Sequence, residues 1–181
     1  MRYYDFHDSP LGRMLLVASD DGLTGVYFEG QKYHPQLEAA WRRDAHHAPL
    51  RQAKRELAEY FGGERRHFET TLTPEGTTFQ RAVWKAISAV SFGKTITYGT
   101  LAQRAGSPGS ARAAGAATGR NPIGIIVPCH RIVGSNGSLT GYAGGLERKR
   151  ALLALEGATK ESPTAELLPA AEILRAPGVR V

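Results

Sequence analysis

The stretch "TLAQRAGSPGSARAAGAATGR" at residues 100–120 predicts two short helices around a tight turn. Helix-forming residues at 100–106 and 110–120 flank the tripeptide "SPG", where proline and glycine interrupt a helix. Two short helices joined in this way are typical of a helix-turn-helix, although any helical hairpin has the same pattern. The second half of the chain is therefore predicted to contain a compact helical unit.

The second of these helices is rich in small residues and contains one long cation, Arg112. Ala111, Ala113 and Gly115 are among its small residues. Small side chains let a helix backbone approach another surface closely, and an arginine among them can reach into a nucleic-acid duplex. A tightly packed internal helix, with its arginine extended towards solvent, would have the same composition. Both interpretations remain open from this segment alone.

Residues 1–75 are predicted to form a small supporting domain with an antiparallel sheet and helices. The segments "MLLVAS" (14–19) and "LTGVYFE" (23–29) have the apolar, β-branched character of two strands joined by a turn at "DDG". The other elements expected here are helices near 35–43 and 49–61 and a strand at 67–72.

The linker "TPEGTTF" at 73–79 places a domain boundary near residue 76, because proline and glycine break the pattern before a new helix. Helices are predicted at 78–90 and 146–157, in addition to the helical pair. The expected fold is α+β: the N-terminal domain, then a mostly helical domain at 76–157 that contains the helical pair. Residues 158–181 are expected to form a peripheral tail.

The positive charge of the chain is concentrated in one segment. The formal net charge is +6, and residues 76–158 hold ten basic and two acidic side chains, whereas residues 1–75 hold ten and twelve. A basic face attracts phosphate backbones through the release of counterions. A solvated basic surface explains the excess equally well, so the charge needs support from motifs.

The composition excludes several classes of protein. A single cysteine excludes an intramolecular disulfide and a cysteine-rich zinc site. The longest apolar run, "IGIIV" at 123–127, is far shorter than the roughly 20 residues of a membrane helix. The start "MRYYDFHDSP" lacks the apolar core of a signal peptide. A cytoplasmic protein without membrane contact is predicted.

The single cysteine, Cys129, lies in "VPCHRI" at residues 127–132. A lone cysteine is often a small buried hydrophobe, but the positive potential of His130 and Arg131 would lower the pKa of its thiol. Glu156, at the end of a predicted helix, could orient a histidine, as in a catalytic triad. Because adjacent side chains diverge, Cys129 and His130 are poorly placed for a direct hydrogen bond, and a bridging water is expected.

The segment "NPIGIIVPCHRIVGSNGSLTGYAGGLERKRALLALEG" at 121–157 resembles the active-site region of O6-alkylguanine-DNA alkyltransferases. Its Pro-Cys-His-Arg core, with Asn-Pro before it and Tyr-x-Gly-Gly after it, is specific to that family. The resemblance extends upstream to residue 78. It implies direct-reversal DNA repair, in which the protein irreversibly accepts an alkyl group from O6-alkylguanine, and also from O4-alkylthymine, once per molecule.

The resemblance implies four catalytic residues. Cys129 would attack the alkyl carbon, His130 would take the thiol proton through a water, and Glu156 would orient His130. Asn121 would hold the segment that carries the cysteine, although taken alone an asparagine before proline is more typical of a simple turn. Neither a metal nor an organic cofactor is implied.

The resemblance also implies a DNA-binding surface that acts in the minor groove without reading sequence. Arg112 would enter the base stack as the damaged nucleotide flips out. Tyr98 would contact the flipped base, although it could equally be a packed tyrosine, and the backbones of Ile132 and Ala143 would bind the guanine. The full set is Tyr98, Ala111, Arg112, Ala113, Gly115, Ile132, Tyr142 and Ala143.

Ala143 stands where some family members carry a serine, so the resemblance implies no role for a hydroxyl at this position. The expected partner is double-stranded DNA, bound by a monomer, either independently or cooperatively. Two rival functions fit parts of the sequence. A lesion-detecting protein without repair activity is disfavoured because such proteins replace the cysteine, and a thiol hydrolase would turn over continuously.

Overall fold

A four-stranded sheet forms the N-terminal part of the computed structural model, which describes residues 1–158. Its strands lie in the order β3-β2-β1-β4. They are β1 (Tyr3–Ser9), β2 (Gly12–Ser19), β3 (Gly22–Phe28) and β4 (Arg42–Arg43). The first three are antiparallel neighbours, and the side chains of β2 from Met14 to Ala18 are buried. The predicted hairpin at 14–29 is confirmed.

Two predictions for this part of the chain were wrong, and one strand was missed. Strand β1 was not predicted, and residues 35–43 form no helix, because Arg42 and Arg43 instead pair in parallel with β1. The expected strand at 67–72 is reduced to a single parallel bridge between Leu23 and Leu72. At residues 35–43 and 67–72, hydrogen bonding to a segment distant in sequence decides the backbone conformation, and local propensity does not register such pairing.

Residues 1–158 contain five α-helices, each of which overlaps a predicted helix. They are α1 (Ala48–Phe61), α2 (Thr78–Ser88), α3 (Tyr98–Arg104), α4 (Ala111–Gly119) and α5 (Leu146–Leu155). Helix α2 begins at a capping box, in which the side chains of Thr77 and Gln80 each accept a hydrogen bond from the other's backbone N–H. The α+β class, with a sheet in the N-terminal part and helices in the C-terminal part, is confirmed.

Helices α3 and α4 form the helical pair around the "SPG" turn. Thr97 caps α3 by accepting a hydrogen bond from the backbone of Thr100. Helix α4 turns Ala114, Ala117 and Thr118 inward. The indole nitrogen of Trp84, in α2, donates to the carbonyl of Ala117 at 2.8 Å. This bond and the small inward residues hold α4 against α2, with its other face outward.

The sheet is joined directly to the segment that precedes Cys129. The backbone N–H of Val26 donates to the Pro122 carbonyl at 2.8 Å, and Gly124 donates back to Val26 at 3.0 Å. One continuous hydrophobic core includes residues from both sides of the proposed boundary near 76. The division into domains at 1–75 and 76–157 stays a prediction. The predicted tail begins at residue 158, and its residues from 159 onward lie outside the part of the chain that the structure describes.

Candidate active site

The segment from Asn121 to Val133 is buried along most of its length and brings Cys129 into the interior. It contains a turn at Ile125, whose φ of 69° is unusual for a β-branched residue. Cys129–Arg131 then form a single 3-10 turn, and strand β6 (Ile132–Val133) pairs in parallel with β5 (Ile96–Thr97). Strand pairing on one side and the Asn121 turn on the other fix the position of the cysteine.

Asn121 organises the backbone around Cys129. Its side-chain nitrogen donates to the Val127 carbonyl at 2.8 Å and to Cys129 Sγ at 3.2 Å. Its side-chain oxygen accepts from the backbone N–H of Ile123 at 3.0 Å. One amide therefore spans both ends of the turn and also provides a donor for the sulfur. A thiolate accepts such a bond better than a thiol does, so this contact favours the reactive form.

Burial raises the pKa of the Cys129 thiol, because the thiolate is poorly solvated in the interior. The Asn121 hydrogen bond and the positive charge of Lys149 act in the opposite direction but do not overcome burial. The prediction that His130 and Arg131 lower this pKa was therefore wrong. The Arg131 guanidinium is paired with Glu156, so its charge is already compensated. Deprotonation of Cys129 requires a base.

Glu156 forms a buried ion pair with Arg131 and a hydrogen bond with His130. Arg131 contacts both carboxylate oxygens, through Nε at 2.8 Å and Nη2 at 2.9 Å, and His130 Nε2 lies 2.7 Å from Oε1. Burial alone would favour the neutral acid, but these bonds prevail and lower the pKa of Glu156 to about 2. The structure therefore places Glu156 against His130, as expected from the sequence, and adds Arg131 as its second partner.

His130 is completely buried, and burial lowers its pKa despite the neighbouring Glu156 carboxylate. A neutral imidazole is therefore the stable form at neutral pH. With its proton on Nε2 facing Glu156, the other nitrogen, Nδ1, is an acceptor. Nδ1 has no hydrogen-bond partner among residues 1–158. His130 thus has the tautomer and the free lone pair that a general base requires.

Two residues in this network were missed at the level of sequence. The hydroxyl of Tyr60, in α1, donates to Glu156 Oε1 at 2.7 Å. Lys149 in α5 is buried and donates from Nζ to the carbonyls of Ile132 at 2.6 Å and Thr140 at 2.9 Å. Burial lowers the pKa of Lys149 to about 8, so the ammonium ion still predominates at neutral pH.

A sequence signal for Lys149 was present in α5. Positions 149, 152, 153 and 156 follow the spacing of one helix face, and Leu152 and Leu153 are its apolar members. All four side chains are buried. A lysine and a glutamate in register with two buried leucines indicate charged groups that enter the interior and require partners there. Tyr60 offered only the weaker signal of a core tyrosine whose hydroxyl requires a partner.

The proposed DNA-contacting residues of α4 lie on two of its sides, one facing solvent and the other facing Tyr98. Arg112 and Ala113 are exposed, and Ala111 is half-buried. Gly115 faces Tyr98: a Cβ at this position would lie 3.5 Å from the tyrosine ring. The Tyr98 hydroxyl donates to the Thr140 carbonyl at 3.1 Å. The outward surface of α4 is therefore composed of small side chains and one arginine, and Tyr98 connects α4 to the loop before α5.

The carbonyls of Cys129 and Ile132, which the resemblance implies as acceptors for the guanine amino group, already take part in protein hydrogen bonds. The Cys129 carbonyl accepts from Ile132, and the Ile132 carbonyl accepts from Lys149. At Ala143 the group implied to face guanine O6 is the backbone N–H, whereas the Ala143 carbonyl accepts from the backbone N–H of Lys32 at 3.0 Å. Each carbonyl has two lone pairs, so a second donor is still possible. Tyr142 is half-buried, and burial raises its pKa well above the usual value, which keeps its hydroxyl protonated.

Among residues 1–158, no three His, Cys, Asp or Glu side chains converge as metal ligands. None of the helices in the same range combines the length and apolar character needed to cross a bilayer.

Family models match almost the entire described chain. The model of the 6-O-methylguanine DNA methyltransferase ribonuclease-like domain matches residues 2–74. The model of the 6-O-methylguanine DNA methyltransferase DNA-binding domain matches residues 78–158. A methylated-DNA–protein-cysteine methyltransferase of Methanosarcina acetivorans is 46% identical over 155 residues, which cover 86% of this chain and 98% of the relative. The Haemophilus influenzae protein of the same name is 42% identical over 155 residues, which cover 85% of this chain and 86% of the relative.

Solved structures give the same result. A Mycobacterium tuberculosis OGT, crystallised in complex with DNA, superposes with a TM-score of 0.78 at 43% identity and covers 86% of this chain and 93% of its own. An O6-methylguanine-DNA methyltransferase of Pyrococcus kodakaraensis shares the fold, with a TM-score of 0.50 at 24% identity over 87% of this chain and 99% of its own. This chain belongs to the family of 6-O-methylguanine DNA methyltransferases, the methylated-DNA–protein-cysteine methyltransferases.

Proposed function

We propose that the protein repairs duplex DNA by transferring the alkyl group of O6-alkylguanine to Cys129. The observation that carries this proposal is the buried arrangement of Asn121, Cys129, His130 and Glu156 around the only cysteine of the chain. It combines a nucleophile, a donor to its sulfur, a neutral histidine and the carboxylate that orients it.

The first chemical step is removal of the Cys129 proton. Burial disfavours the thiolate, so the proton leaves only when a base is available. His130 Nδ1 is an acceptor, and the adjacent positions of the two residues favour transfer through one water molecule. Glu156 stabilises the imidazolium that forms, because its carboxylate faces Nε2. The Asn121 amide and the Lys149 charge stabilise the thiolate.

In the second step, Cys129 Sγ attacks the alkyl carbon in a displacement reaction. A carbon–sulfur bond forms as the carbon–oxygen bond breaks, and its electron pair remains on guanine O6. The proton held by His130 then restores neutral guanine. The thioether product is not hydrolysed by water, so each molecule acts once. O4-alkylthymine presents the same alkyl–oxygen bond and is a second substrate.

Access to the alkyl carbon requires the nucleotide to leave the duplex, because Cys129 is only 6% exposed. We propose that α4 lies in the minor groove, where Ala113 and its small neighbours allow close approach. Arg112 takes the place of the flipped nucleotide in the stack. Small side chains cannot read base edges, so binding is independent of sequence.

The form of the protein that acts is a monomer on double-stranded DNA. The excess of basic residues at 76–158 supports binding to the phosphate backbone. We place this activity on chromosomal DNA in the cytoplasm, since a free thiolate nucleophile requires a reducing compartment.

Intact mass spectrometry tests the proposal. The protein is incubated with duplex DNA that contains O6-methylguanine, and an identical duplex with unmodified guanine is the control. We expect the mass of one methyl group on the Cys129 peptide and a plateau at one equivalent. Cys129→Ser should accept nothing. Methylation of Cys129→Ser would refute the assignment of the acceptor, and continuous product release would indicate a thiol hydrolase instead.

A further inference from the structure

The Glu156 carboxylate is held by Tyr60, from helix α1 in the N-terminal part of the chain, as well as by its neighbours in the active site. Its Oε1 atom accepts hydrogen bonds from the Tyr60 hydroxyl at 2.7 Å, His130 Nε2 at 2.7 Å and Arg131 Nη2 at 2.9 Å. Oε2 accepts from Arg131 Nε at 2.8 Å and from the backbone of Gly93 at 3.3 Å. Three donors therefore share the single oxygen that faces the imidazole.

The Tyr60 ring is fixed by other aromatic side chains. Tyr60 is 1% exposed, and its ring lies edge-on to Phe61 and Phe92, with centroid distances of 5.4 and 6.2 Å. Phe68 packs at 5.5 Å in a tilted orientation. Burial, reinforced by the Glu156 carboxylate, raises the pKa of Tyr60 well above its usual value. The hydroxyl therefore stays protonated and can only donate to the carboxylate.

The position of this hydroxyl is set by the N-terminal part of the chain. Tyr60 lies in the last turn of α1, 96 residues before Glu156. Helix α1 buries Leu50, Ala53 and Leu57 in the core that it shares with the sheet. The hydroxyl cannot follow a movement of Glu156 without displacing this packing, so the N-terminal part restrains the carboxylate directly.

A donor on Oε1 also changes how strongly Glu156 attracts a proton on His130. A hydrogen bond from a neutral hydroxyl stabilises the carboxylate charge and thereby weakens its pull on the imidazole. The other charged groups that face His130 are Arg131 and Lys149, and both disfavour the imidazolium. Tyr60 acts in the same direction without adding a charge.

We propose that Tyr60 is a positioning residue for alkyl transfer: its hydroxyl fixes the Glu156 carboxylate and limits the attraction of that carboxylate for a proton on His130. The inference rests on the proposed function of Cys129 and His130. It assigns the N-terminal part a specific contribution to the chemistry, in which α1 supplies one hydroxyl to the carboxylate oxygen that faces His130.

The test is the pH dependence of methyl transfer in Tyr60→Phe, which removes the hydroxyl and keeps the ring. Tyr4→Phe is the matched control, because Tyr4 lies on β1 and contributes nothing to the network. Without the hydroxyl, His130 should hold its proton to higher pH. We expect the acid limb of the rate profile to move up by about 0.5 to 1 pH unit. On the acid limb of the profile, transfer should be several-fold slower than in the wild type, and the difference should shrink at alkaline pH.

Direct titration of His130 by NMR provides a readout that does not depend on activity. The His130 signal is identified among the six histidines by its loss in His130→Gln. Its midpoint should move upward in Tyr60→Phe and stay unchanged in Tyr4→Phe. Equal midpoints and equal rate profiles in Tyr60→Phe and the wild type would overturn the inference. If the wild type transfers no methyl group, the proposed function fails, while the titration still decides the role of Tyr60.

A second perturbation covers the case in which Tyr60→Phe does not fold. The wild-type protein is prepared with 3-fluorotyrosine in place of its seven tyrosines. A fluorinated phenol is a stronger donor, so the His130 midpoint should move downward, opposite to the effect of the phenylalanine variant. An unchanged midpoint in the fluorinated protein would also overturn the inference.

Discussion

The side-chain amide of Asn121 lies 3.2 Å from Cys129 Sγ and is a direct hydrogen-bond donor to the sulfur. The same nitrogen holds the Val127 carbonyl at 2.8 Å. The sulfur is therefore placed, and its charged form stabilised, by one side chain that is itself anchored to the backbone. Because burial raises the pKa of Cys129, this contact is one of the few that oppose the desolvation.

Replacement of Asn121 by alanine should raise the pKa of Cys129 further. A hydrogen bond to a charged group is worth about 1.5 to 3 kcal/mol, which corresponds to a rise of about 1 to 2 pH units. The rate of Cys129 modification by iodoacetamide, measured against pH, reports the change without ambiguity because the chain has one cysteine. Asn136→Ala, in an exposed loop, is the control and should leave the profile unchanged. An unshifted profile for Asn121→Ala would show that the amide does not stabilise the thiolate.

Glu156 should make the stability of the protein depend on pH in the acid range. Its pKa is about 2 in the folded protein and 4.5 for the free side chain. The carboxylate therefore contributes stability that is complete above pH 4.5 and is lost as the pH falls towards 2. The contribution of Glu156 to the free energy of unfolding is about 3 kcal/mol.

Urea unfolding of Glu156→Gln checks this expectation. The variant should be less stable than the wild type at pH 6, because Arg131 loses its buried partner. The difference should narrow as the pH falls from 4.5 to 2. Glu29→Gln, at an exposed position, should follow the wild type throughout. A constant difference over this range would mean that folding does not lower the pKa of the Glu156 carboxyl group.

Arg112→Ala should impair repair of duplex DNA more than reaction with a free O6-benzylguanine base. Arg112 is exposed on α4 and is proposed to occupy the stack, a contribution that a free base does not need. We expect a loss of at least about tenfold on duplex, equivalent to about 1.4 kcal/mol, and little change with the free base. Single-turnover rates of Arg112→Ala and the wild type on the duplex and on the free base measure the two losses. Arg55→Ala on α1 is the control, and equal losses on both substrates would remove Arg112 from the flipping step.

Ala113→Glu should weaken binding to duplex DNA while leaving reaction with the free base unchanged. The added side chain is larger and carries a negative charge on the surface proposed to face phosphates. We expect a Kd for duplex that rises by roughly tenfold or more, measured by fluorescence anisotropy at fixed salt. Ala58→Glu, on the exposed side of α1, adds the same charge elsewhere. If both variants lose affinity equally, the effect reflects net charge and not the surface of α4.

The helices of the C-terminal part could be predicted because their signals are local. Phe79, Val83 and Ile87 recur at helical spacing, and the "SPG" turn separates two helix-forming segments. The Pro-Cys-His-Arg motif identified the candidate nucleophile for the same reason, since its members are adjacent. The failures at 35–43 and 67–72 have the opposite cause, because those backbones pair with residues that are distant in sequence.

The sequence by itself therefore determined the α+β class, the helical pair, the single cysteine and the family resemblance. Only the tertiary structure decided how the site functions electrostatically. It brings Tyr60 within 2.7 Å of Glu156 and buries Cys129, so that the pKa of the thiol rises where adjacent cations suggested a fall. The physical reason is that the pKa of a side chain depends on its solvent exposure and on the groups that contact it in the folded protein. Residues adjacent in sequence determine neither of these.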